Sequence, residues 1–381
     1  LHRALNLMSE RHGRPFALPD IPPEDPQTYA MLSRGDTIGV FQVESRAQMA
    51  MLPRLRPRNF YDLVVQIAIV RPGPMQGGMV HPYLRRREKK EPVTFPSDAL
   101  KQALARTLGV PIFQEQVMQV AMLAAGYSAG EADALRRAMA AWKRHGNMEI
   151  HHDRLVSGML ARGYDRDFAE DIFAQIRGFG EYGFPESHAA SFALLAYASA
   201  WLRCHEPAVF LAALLNSQPM GFYTPAQLVQ DARRRGVRVL PVDVTVSQWD
   251  STLEDAEPQS VPEDGGGPQG MAQLVDPTRS AAPAVRLGFS RIAGMRPEAG
   301  DRIARARSRK AFADVADLAH RAQLDRHDLQ ALARAGALRP LAGGNRRAAL
   351  WQAAAAVPDR DLLRGTARDD ADPALPLPTE G

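Results

Sequence analysis

The chain has 381 residues, of which 45% are hydrophobic and 24% charged, and this length predicts two or more domains rather than one core. Its single cysteine, Cys204, excludes a disulfide framework, argues against a cysteine-based zinc site and fits a reducing cytoplasm. No apolar run is long enough to cross a bilayer, so we expect a cytoplasmic protein without a membrane partner. The formal net charge of +4 indicates nucleic-acid binding only weakly, because local clustering of charge matters more than its sum.

Helical patterns dominate the first two thirds of the sequence. Residues 1–13 have helical spacing, a proline-rich connector follows, and helical spacing then continues to Gly236. Ser128 and Glu131 form a capping-box sequence that predicts the start of a helix running through Trp142. The predicted fold class is therefore mainly α.

The last third predicts a small β element followed by short helices. Residues 237–244 are rich in β-forming residues. Strand-like segments at 248–253 and 284–289 flank a stretch rich in glycine, proline and acidic residues at 254–283, which we expect to be a disordered insertion in a long hairpin. Residues 290–340 contain helical patterns separated by glycines.

Basic residues form two rows on the helix that the capping box opens. Arg136 and Lys143 are seven residues apart, as are Arg137 and Arg144, so each pair lies within roughly 20° on the helical wheel. Four neighbouring cations repel one another unless an anion lies against them, and a triphosphate or a nucleic-acid backbone would serve. A solvated helix face is the alternative.

A glycine- and aromatic-rich segment at 178–188 leads into a long apolar helix. Ser187 is a candidate N-cap, with His188 in the first turn, and free backbone N–H groups at a helix start attract anions. Tyr182 and Phe184 could stack on a base. A tight packing turn with aromatic rings in the core is the alternative.

Two further groups of residues are candidate sites. Arg71 lies between an apolar run and two prolines, which would hold its cation rigidly, although a surface loop gives the same pattern. Gly294 precedes a basic helix carrying Arg302, Arg305 and Arg309, an arrangement that could hold DNA phosphates or simply cover a small helical bundle.

Metal and covalent chemistry receive no support from the sequence. The neighbouring pairs His151–His152 and Cys204–His205 each point about 100° apart on a helix and do not converge. Neither a Ser–His–Asp arrangement nor a Walker-type phosphate loop is evident. We therefore predict no metal site and no catalytic residue in this chain.

Five segments, taken in order, resemble motifs of the bacterial DNA polymerase III alpha subunit family (family C). They are GDTIGVFQVES at 35–45, RPGP at 71–74, FQEQVM at 113–118, LRRAM at 135–139 and YGFPESH at 182–188. The stretches AAWKRHGNM at 140–148 and NSQPMGFY at 216–223 are similar to the error-prone branch. The resemblance implies an error-prone DNA-directed DNA polymerase, a nucleotidyltransferase acting in damage-induced mutagenesis and translesion synthesis.

The resemblance also implies a domain plan for what we expect to be an internal piece of a longer protein. The expected regions are the end of the palm with a connector at 1–30, the fingers at 31–245, the β-hairpin with its insertion at 246–290, a tandem helix-hairpin-helix module at 285–345 and a linker toward a missing OB-fold at 346–381.

Catalysis in this family needs palm carboxylates that hold two Mg²⁺ ions, and these are expected upstream of Leu1. Asp165 and Asp167 have the right spacing but lie in a predicted helical region, so we do not assign them that role. The chain alone is therefore expected to be inactive.

The implied partners are template-primer DNA and deoxynucleoside triphosphates, with the sliding clamp and mutagenesis accessory proteins as further candidates. Arg71, Arg136, Arg137, Lys143, Arg144, Tyr182 and His188 would bind nucleotide or template, and Gly294, Arg302, Arg305 and Arg309 the DNA backbone. The alternatives are a non-catalytic DNA-binding or scaffold protein and, less well supported, an unrelated helical enzyme with a phosphate substrate.

Overall fold

The computed structural model describes residues 1–70, 80–145, 148–178, 184–255 and 283–356, and of these the side chains of 140–149 and 178 are not described. The chain divides into two compact units, Leu1–Val237 and Arg238–Gly381. Within the described residues, no helix combines the length and the apolar character that crossing a membrane requires. The architecture is mainly α, as the sequence predicts.

The first unit is built from helices. Its described helices are α1 (His2–His12), α2 (Pro26–Ser33), α3 (Arg46–Leu55), α4 (Phe60–Ile69), α5 (Val80–Arg87), α6 (Asp98–Leu104), α7 (Gln114–Ala125), α8 (Ala129–His145), α9 (Met148–Leu160), α10 (Arg166–Gly178), α11 (Glu186–His205), α12 (Pro207–Leu215) and α13 (Pro225–Arg234).

Helices α4 and α11 pack against each other at the centre of this unit. Asn59 caps α4 by accepting a hydrogen bond from the Asp62 N–H at 2.9 Å, and the β-branched run that follows is fully buried, so it forms a core helix rather than a strand. Helix α11 carries a buried stripe of alanines at helical spacing: Ala189, Ala193, Ala196 and Ala200. Small side chains let helices approach closely, and a larger residue at such a position typically costs about 1–3 kcal/mol.

The second unit combines a three-stranded sheet with short helices. The strands are β1 (Val239–Leu240), β2 (Thr252–Glu254) and β3 (Ala284–Arg286), in the order β1-β3-β2, with β1 parallel and β2 antiparallel to β3. The helices are α14 (Pro297–Arg309), α15 (Val315–Arg321), α16 (Arg326–Arg334) and α17 (Arg346–Ala355). Their apolar faces share one core with Phe289 and Ile292.

The strands are shorter than the sequence pattern predicts. Only Val239 and Leu240 of the 237–244 run pair in the sheet, because Pro241 follows at once and has no N–H to donate. The residues that follow β3 nevertheless lie against the residues that precede β2. The Phe289 N–H donates to the Gln248 carbonyl at 2.9 Å, and a Cβ on Gly288 would lie 2.4 Å from the Trp249 oxygen, so only glycine fits there.

The helix starts follow the predicted caps with one exception. The Ser128 N–H donates to Glu131 Oε2 at 2.7 Å and the Glu131 N–H to Ser128 Oγ at 3.3 Å, which confirms the capping box. The N-cap prediction for Ser187 is wrong, because α11 begins at Glu186 with Pro185 at the N-cap. An outside carboxylate replaces it: the Glu186 N–H donates to Glu115 Oε2 at 3.0 Å.

Candidate nucleic-acid interface

Helix α8 presents Arg136 and Arg137 to solvent. Their side chains are 39% and 71% exposed, whereas Ala132, Leu135 and Met139 on the opposite face are buried. The helix is therefore held by its apolar face, and the two guanidinium groups project from a fixed support. The predicted rows also include Lys143 and Arg144, but their side chains lie outside the described residues.

Asp133 lies between these two arginines. Arg136 Nε donates to Asp133 Oδ1 at 2.9 Å and Arg137 Nη2 donates to Asp133 Oδ2 at 2.5 Å. The hydrogen bond from Arg136, followed by that from Arg137, lowers the pKa of the Asp133 carboxyl. The Asp133 carboxylate thus offsets part of the repulsion between the two arginines. The sequence pattern predicted that an external anion would do so. The spacing of Asp133, three and four residues before the arginines, is readable from the sequence.

His188 is the centre of an aromatic row on α11. Its exposed ring makes edge contacts with Phe184 at 4.8 Å and Phe192 at 4.4 Å, measured between ring centroids. Phe192 in turn stacks on Phe41, with centroids 5.4 Å apart and planes 19° apart. Such contacts fix the orientation of the imidazole. The spacing of four residues makes Phe192 predictable as a neighbour of His188, whereas Phe41 is distant in sequence.

Three of the predicted motif segments meet along α11. The Gln114 N–H donates to the Phe184 carbonyl at 3.2 Å, and Glu115 receives the Glu186 N–H, so the 113–118 segment touches the start of α11. Phe41 of the 35–45 segment packs on Phe192, one turn after His188. Segments far apart in sequence therefore form one surface around His188.

A buried charge cluster ties the 35–45 segment to the far end of α11. Arg203 is only 3% exposed and donates to Asp36 Oδ1 at 2.8 Å and Asp231 Oδ2 at 2.7 Å, while Arg235 also pairs with Asp36. Burial is the largest single influence on the Asp36 carboxyl and raises its pKa, but the hydrogen bonds and charges of Arg203 and Arg235 together outweigh it, so the net shift of the pKa is downward. The cluster fixes the loop that places Phe41.

In the second unit, Gly294 forms a hairpin turn before α14. Its φ of +80° lies in the left-handed region, which glycine adopts without strain. Helix α14 starts with Arg296 at the N-cap and Pro297 at the first position, and among the described residues no side chain caps it. By contrast, Asn345 accepts hydrogen bonds from the Arg347 and Ala348 N–H groups at the start of α17. The N–H groups of Ala299 and Gly300 in the first turn of α14 both donate to the Arg296 carbonyl, at 3.1 and 3.2 Å.

The arginines of α14 do not behave alike. Arg305 and Arg309 are exposed, and Arg305 Nε makes only a 3.3 Å contact with the Asp301 carbonyl of its own helix among the described residues. Arg302 instead turns inward, donating to the Ala322 carbonyl at 2.8 Å and to Asp328 Oδ2 at 3.3 Å. Asp328 is fully buried and also accepts from Arg296 at 2.9 Å. The geometry gives Arg302 an internal role and leaves Arg305 and Arg309 on the surface.

Sequence comparisons identify both units. Residues 1–163 match the bacterial DNA polymerase III alpha subunit finger domain, and residues 236–349 match a helix-hairpin-helix motif. Over the whole chain, identity is 62% to an error-prone DNA polymerase of Bordetella bronchiseptica across 382 residues, 60% to that of Burkholderia pseudomallei across 392, and 56% to that of Pseudomonas fluorescens across 382. These comparisons cover 34%, 35% and 36% of the respective relatives.

The chain is thus similar to the bacterial DNA polymerase III alpha subunit family, through the finger-domain match of residues 1–163 and the whole-chain identity to error-prone DNA polymerases. Its similarity lies with the error-prone members, and the expected resemblance is confirmed. The chain spans about a third of the length of the curated relatives it matches.

Two of the predicted nucleotide-binding residues fall outside the part of the chain that the structure describes. These are Arg71, at 71–79, and Tyr182, at 179–183. The run that precedes Arg71 is the buried helix α4. Tyr182 lies two residues before Phe184, which contacts His188.

The described residues do not fit the Mg²⁺ pair of a polymerase. Two groups of potential ligands occur in the described parts of the chain, Asp25–Cys204–His205 and Asp325–His327–Asp328. Mg²⁺ prefers oxygen ligands, whereas the first group includes a thiol and the second is already neutralised by Arg296. His152 of the predicted His151–His152 pair forms a 2.8 Å hydrogen bond with Glu170 on α10. No catalytic step is assigned to a metal here.

Proposed function

We propose that this chain is the nucleotide- and DNA-holding part of an error-prone DNA polymerase. Arg136 and Arg137 would bind the triphosphate of the incoming deoxynucleotide or the template backbone. Lys143, Arg144, Arg71 and Tyr182 are further candidates for the same role. His188 would contact the nucleotide from its aromatic row. The observation that carries this proposal is a pair of exposed guanidinium groups on a rigidly packed helix, with one carboxylate between them.

The electrostatics favour displacement of that carboxylate by phosphate. A triphosphate carries more negative charge than Asp133 and can accept bidentate hydrogen bonds from both arginines. Because Asp133 is exposed, its ion pairs contribute little to stability and are readily exchanged. The arginines are thus held ready without being locked to an internal partner.

The test uses the whole polymerase that contains this chain. The double variant Arg136→Ala with Arg137→Ala is expected to lower kcat/KM for nucleotide incorporation by about a hundredfold or more, as loss of preorganised charge stabilisation does. Arg166→Ala is the matched control, because Arg166 is 66% exposed, lies in the same unit and also pairs with a carboxylate. Primer extension with varied deoxynucleotide concentration gives both constants. Equal losses in the double variant and the control would overturn the proposal.

The second unit would hold duplex DNA through its phosphates, independently of base sequence. The exposed cations Arg305 and Arg309 on the helix that follows the Gly294 hairpin support this, since arginines position DNA through its phosphates without reading its sequence. Arg302 would contribute by holding the hairpin bundle together. The proposed domain limits follow the sequence expectation, with fingers at 31–245 and the helix-hairpin-helix module at 285–345.

We further propose that this chain alone does not polymerise DNA. Polymerase chemistry uses Mg²⁺ held by several carboxylates, and the described residues supply no such set. The palm of the whole protein would provide it, with template-primer DNA and deoxynucleotides as substrates. A primer-extension assay of the isolated chain with Mg²⁺ is expected to give no product; measurable extension would overturn this point.

A further inference from the structure

The end of α11 and the start of α2 bring together three side chains. None of them belongs to the residues proposed to bind nucleotide or DNA. A thiol, an imidazole nitrogen and a carboxylate oxygen, from Cys204, His205 and Asp25, all lie within 4.8 Å of one another. The Asp25 and His205 side chains are 18% and 20% exposed, and Cys204 is also partly accessible. The group is therefore sheltered but open to small solutes.

Contacts outside this group hold its two halves together. Tyr197, two turns before His205 on α11, accepts a hydrogen bond from the Asp25 N–H at 2.8 Å and donates to the Pro22 carbonyl at 2.7 Å. These bonds fix the segment before α2 against α11 without using any of the three candidate ligand atoms. The site is thus preformed by the fold.

The carboxylate of Asp25 has one oxygen engaged. Among the described residues, Oδ2 accepts from the Thr28 N–H, the Thr28 hydroxyl and His205 Nε2, at 2.7, 2.7 and 2.8 Å. Every hydrogen bond given to this carboxylate ends on Oδ2, which leaves Oδ1 for a ligand. The capping bonds to Thr28 at the same time hold the carboxylate in place.

We propose that Asp25, Cys204 and His205 form a binding site for a thiophilic divalent metal ion, with Zn²⁺ as the best fit and water as its fourth ligand. Tetrahedral Zn²⁺ with bonds of about 2.0–2.3 Å places its ligand atoms roughly 3.3–3.7 Å apart. The candidate ligand atoms lie within 4.8 Å of one another, so shifts of about 1 Å bring them to these separations, with the ion replacing the 2.8 Å hydrogen bond between His205 Nε2 and the Asp25 carboxylate.

The ligand set selects the class of metal. Thiolate and imidazole favour Zn²⁺ and similar ions over Mg²⁺ and Ca²⁺, so this site is chemically distinct from the catalytic metal site of a polymerase. Spacing alone predicts no metal here, because Cys204 and His205 are neighbours on a helix and point apart. The third ligand, Asp25, comes from a position 180 residues before His205, which spacing alone does not reveal.

The test is a metal titration of the purified 381-residue chain with Co²⁺ and Zn²⁺. The wild-type chain is expected to bind one Co²⁺ with a thiolate-to-cobalt charge-transfer band and strong visible absorption typical of a tetrahedral site. Zn²⁺ should displace Co²⁺, and Tm should rise with Zn²⁺ concentration. Cys204→Ser should remove the charge-transfer band and weaken Zn²⁺ binding at least about tenfold, and Asp25→Asn should weaken it less.

His152→Gln is the matched control, because His152 also lies between carboxylates on a helix but has no thiol in its surroundings among the described residues. It should bind Zn²⁺ as the wild-type chain does. Circular dichroism without metal shows whether each variant is folded, so a loss of binding in a folded Cys204→Ser chain supports the site. A wild-type chain without the charge-transfer band, or a Cys204→Ser chain with unchanged Zn²⁺ affinity, would overturn the proposal.

Discussion

Helices α8 and α14 carry arginines in similar patterns, yet the structure uses them differently. On α8, Arg136 and Arg137 both face solvent and share the nearby Asp133. On α14, Arg302 turns inward to the buried Asp328, whereas Arg305 remains exposed. Helical spacing therefore fixes where an arginine lies on its helix, but a remote partner decides whether it supports the fold or faces a ligand.

Loss of the inward arginine is expected to have the largest effect on stability. Arg302→Ala should lower the free energy of unfolding of the second unit by about 2–3 kcal/mol, because buried Asp328 then keeps, among the described residues, Arg296 as its one charged partner. Arg305→Ala is the control and should change it by less than about 0.5 kcal/mol. Amide hydrogen exchange in the second unit, followed at increasing urea concentration, measures the free energy of unfolding of both variants. Equal destabilisation by the two variants would contradict this division of roles.

For DNA binding we expect the opposite: loss of the exposed arginines of α14 should have a larger effect than loss of Arg302. Arg305→Ala with Arg309→Ala should reduce the slope of log affinity for duplex DNA against log salt by about two, since each lost phosphate contact removes roughly 0.9. Arg302→Ala, studied at a temperature where the variant remains folded, should keep the wild-type slope. Fluorescence anisotropy at several salt concentrations gives the slopes. A change that follows Arg302 instead would place the DNA on the other side of α14.

Local sequence patterns predicted much of the fold. The capping box at Ser128 and the buried face through Leu135 and Met139 depend on residues close in sequence, and the structure has both. The Ser187 cap failed because Glu115, far away in sequence, receives the Glu186 N–H at the start of α11. Sequence patterns therefore predicted the helix start where the capping partner is close in sequence, and failed where the partner is distant in sequence.

The candidate sites divide in the same way. Asp133 and Phe192 lie within one helical turn of the residues they contact, so the sequence could have indicated them. Phe41 and Asp25 reach α11 only through tertiary packing, and no spacing rule places them there. Asp328, the partner of Arg302, is likewise remote in sequence, so helical spacing alone predicted the same role for Arg302 and Arg305.

Asp133 offers a test of the exposed pair on α8. Asp133→Asn keeps a hydrogen-bond acceptor but removes the negative charge that competes with a bound phosphate, so KM for deoxynucleotides in the whole polymerase should fall by about two- to fivefold. Steady-state primer extension measures KM, with Glu131→Gln as a control carboxylate that pairs with Arg154 instead. A rise in KM would mean that Asp133 positions the arginines rather than competing for them.

His152 is a titrating group with one hydrogen-bond partner next to it in sequence and one on another helix. Its pKa is raised from 6.5 by hydrogen bonds to remote Glu170 first and adjacent Asp153 second. Because the folded state holds the proton more tightly, these pairs stabilise the fold below about pH 6.5, and that contribution is lost as pH rises through the folded pKa. Glu170→Gln should therefore lower the His152 pKa, measured by NMR titration of the ring, more than Asp153→Asn does. The reverse order would show that the neighbour in sequence, not the partner on α10, controls this histidine.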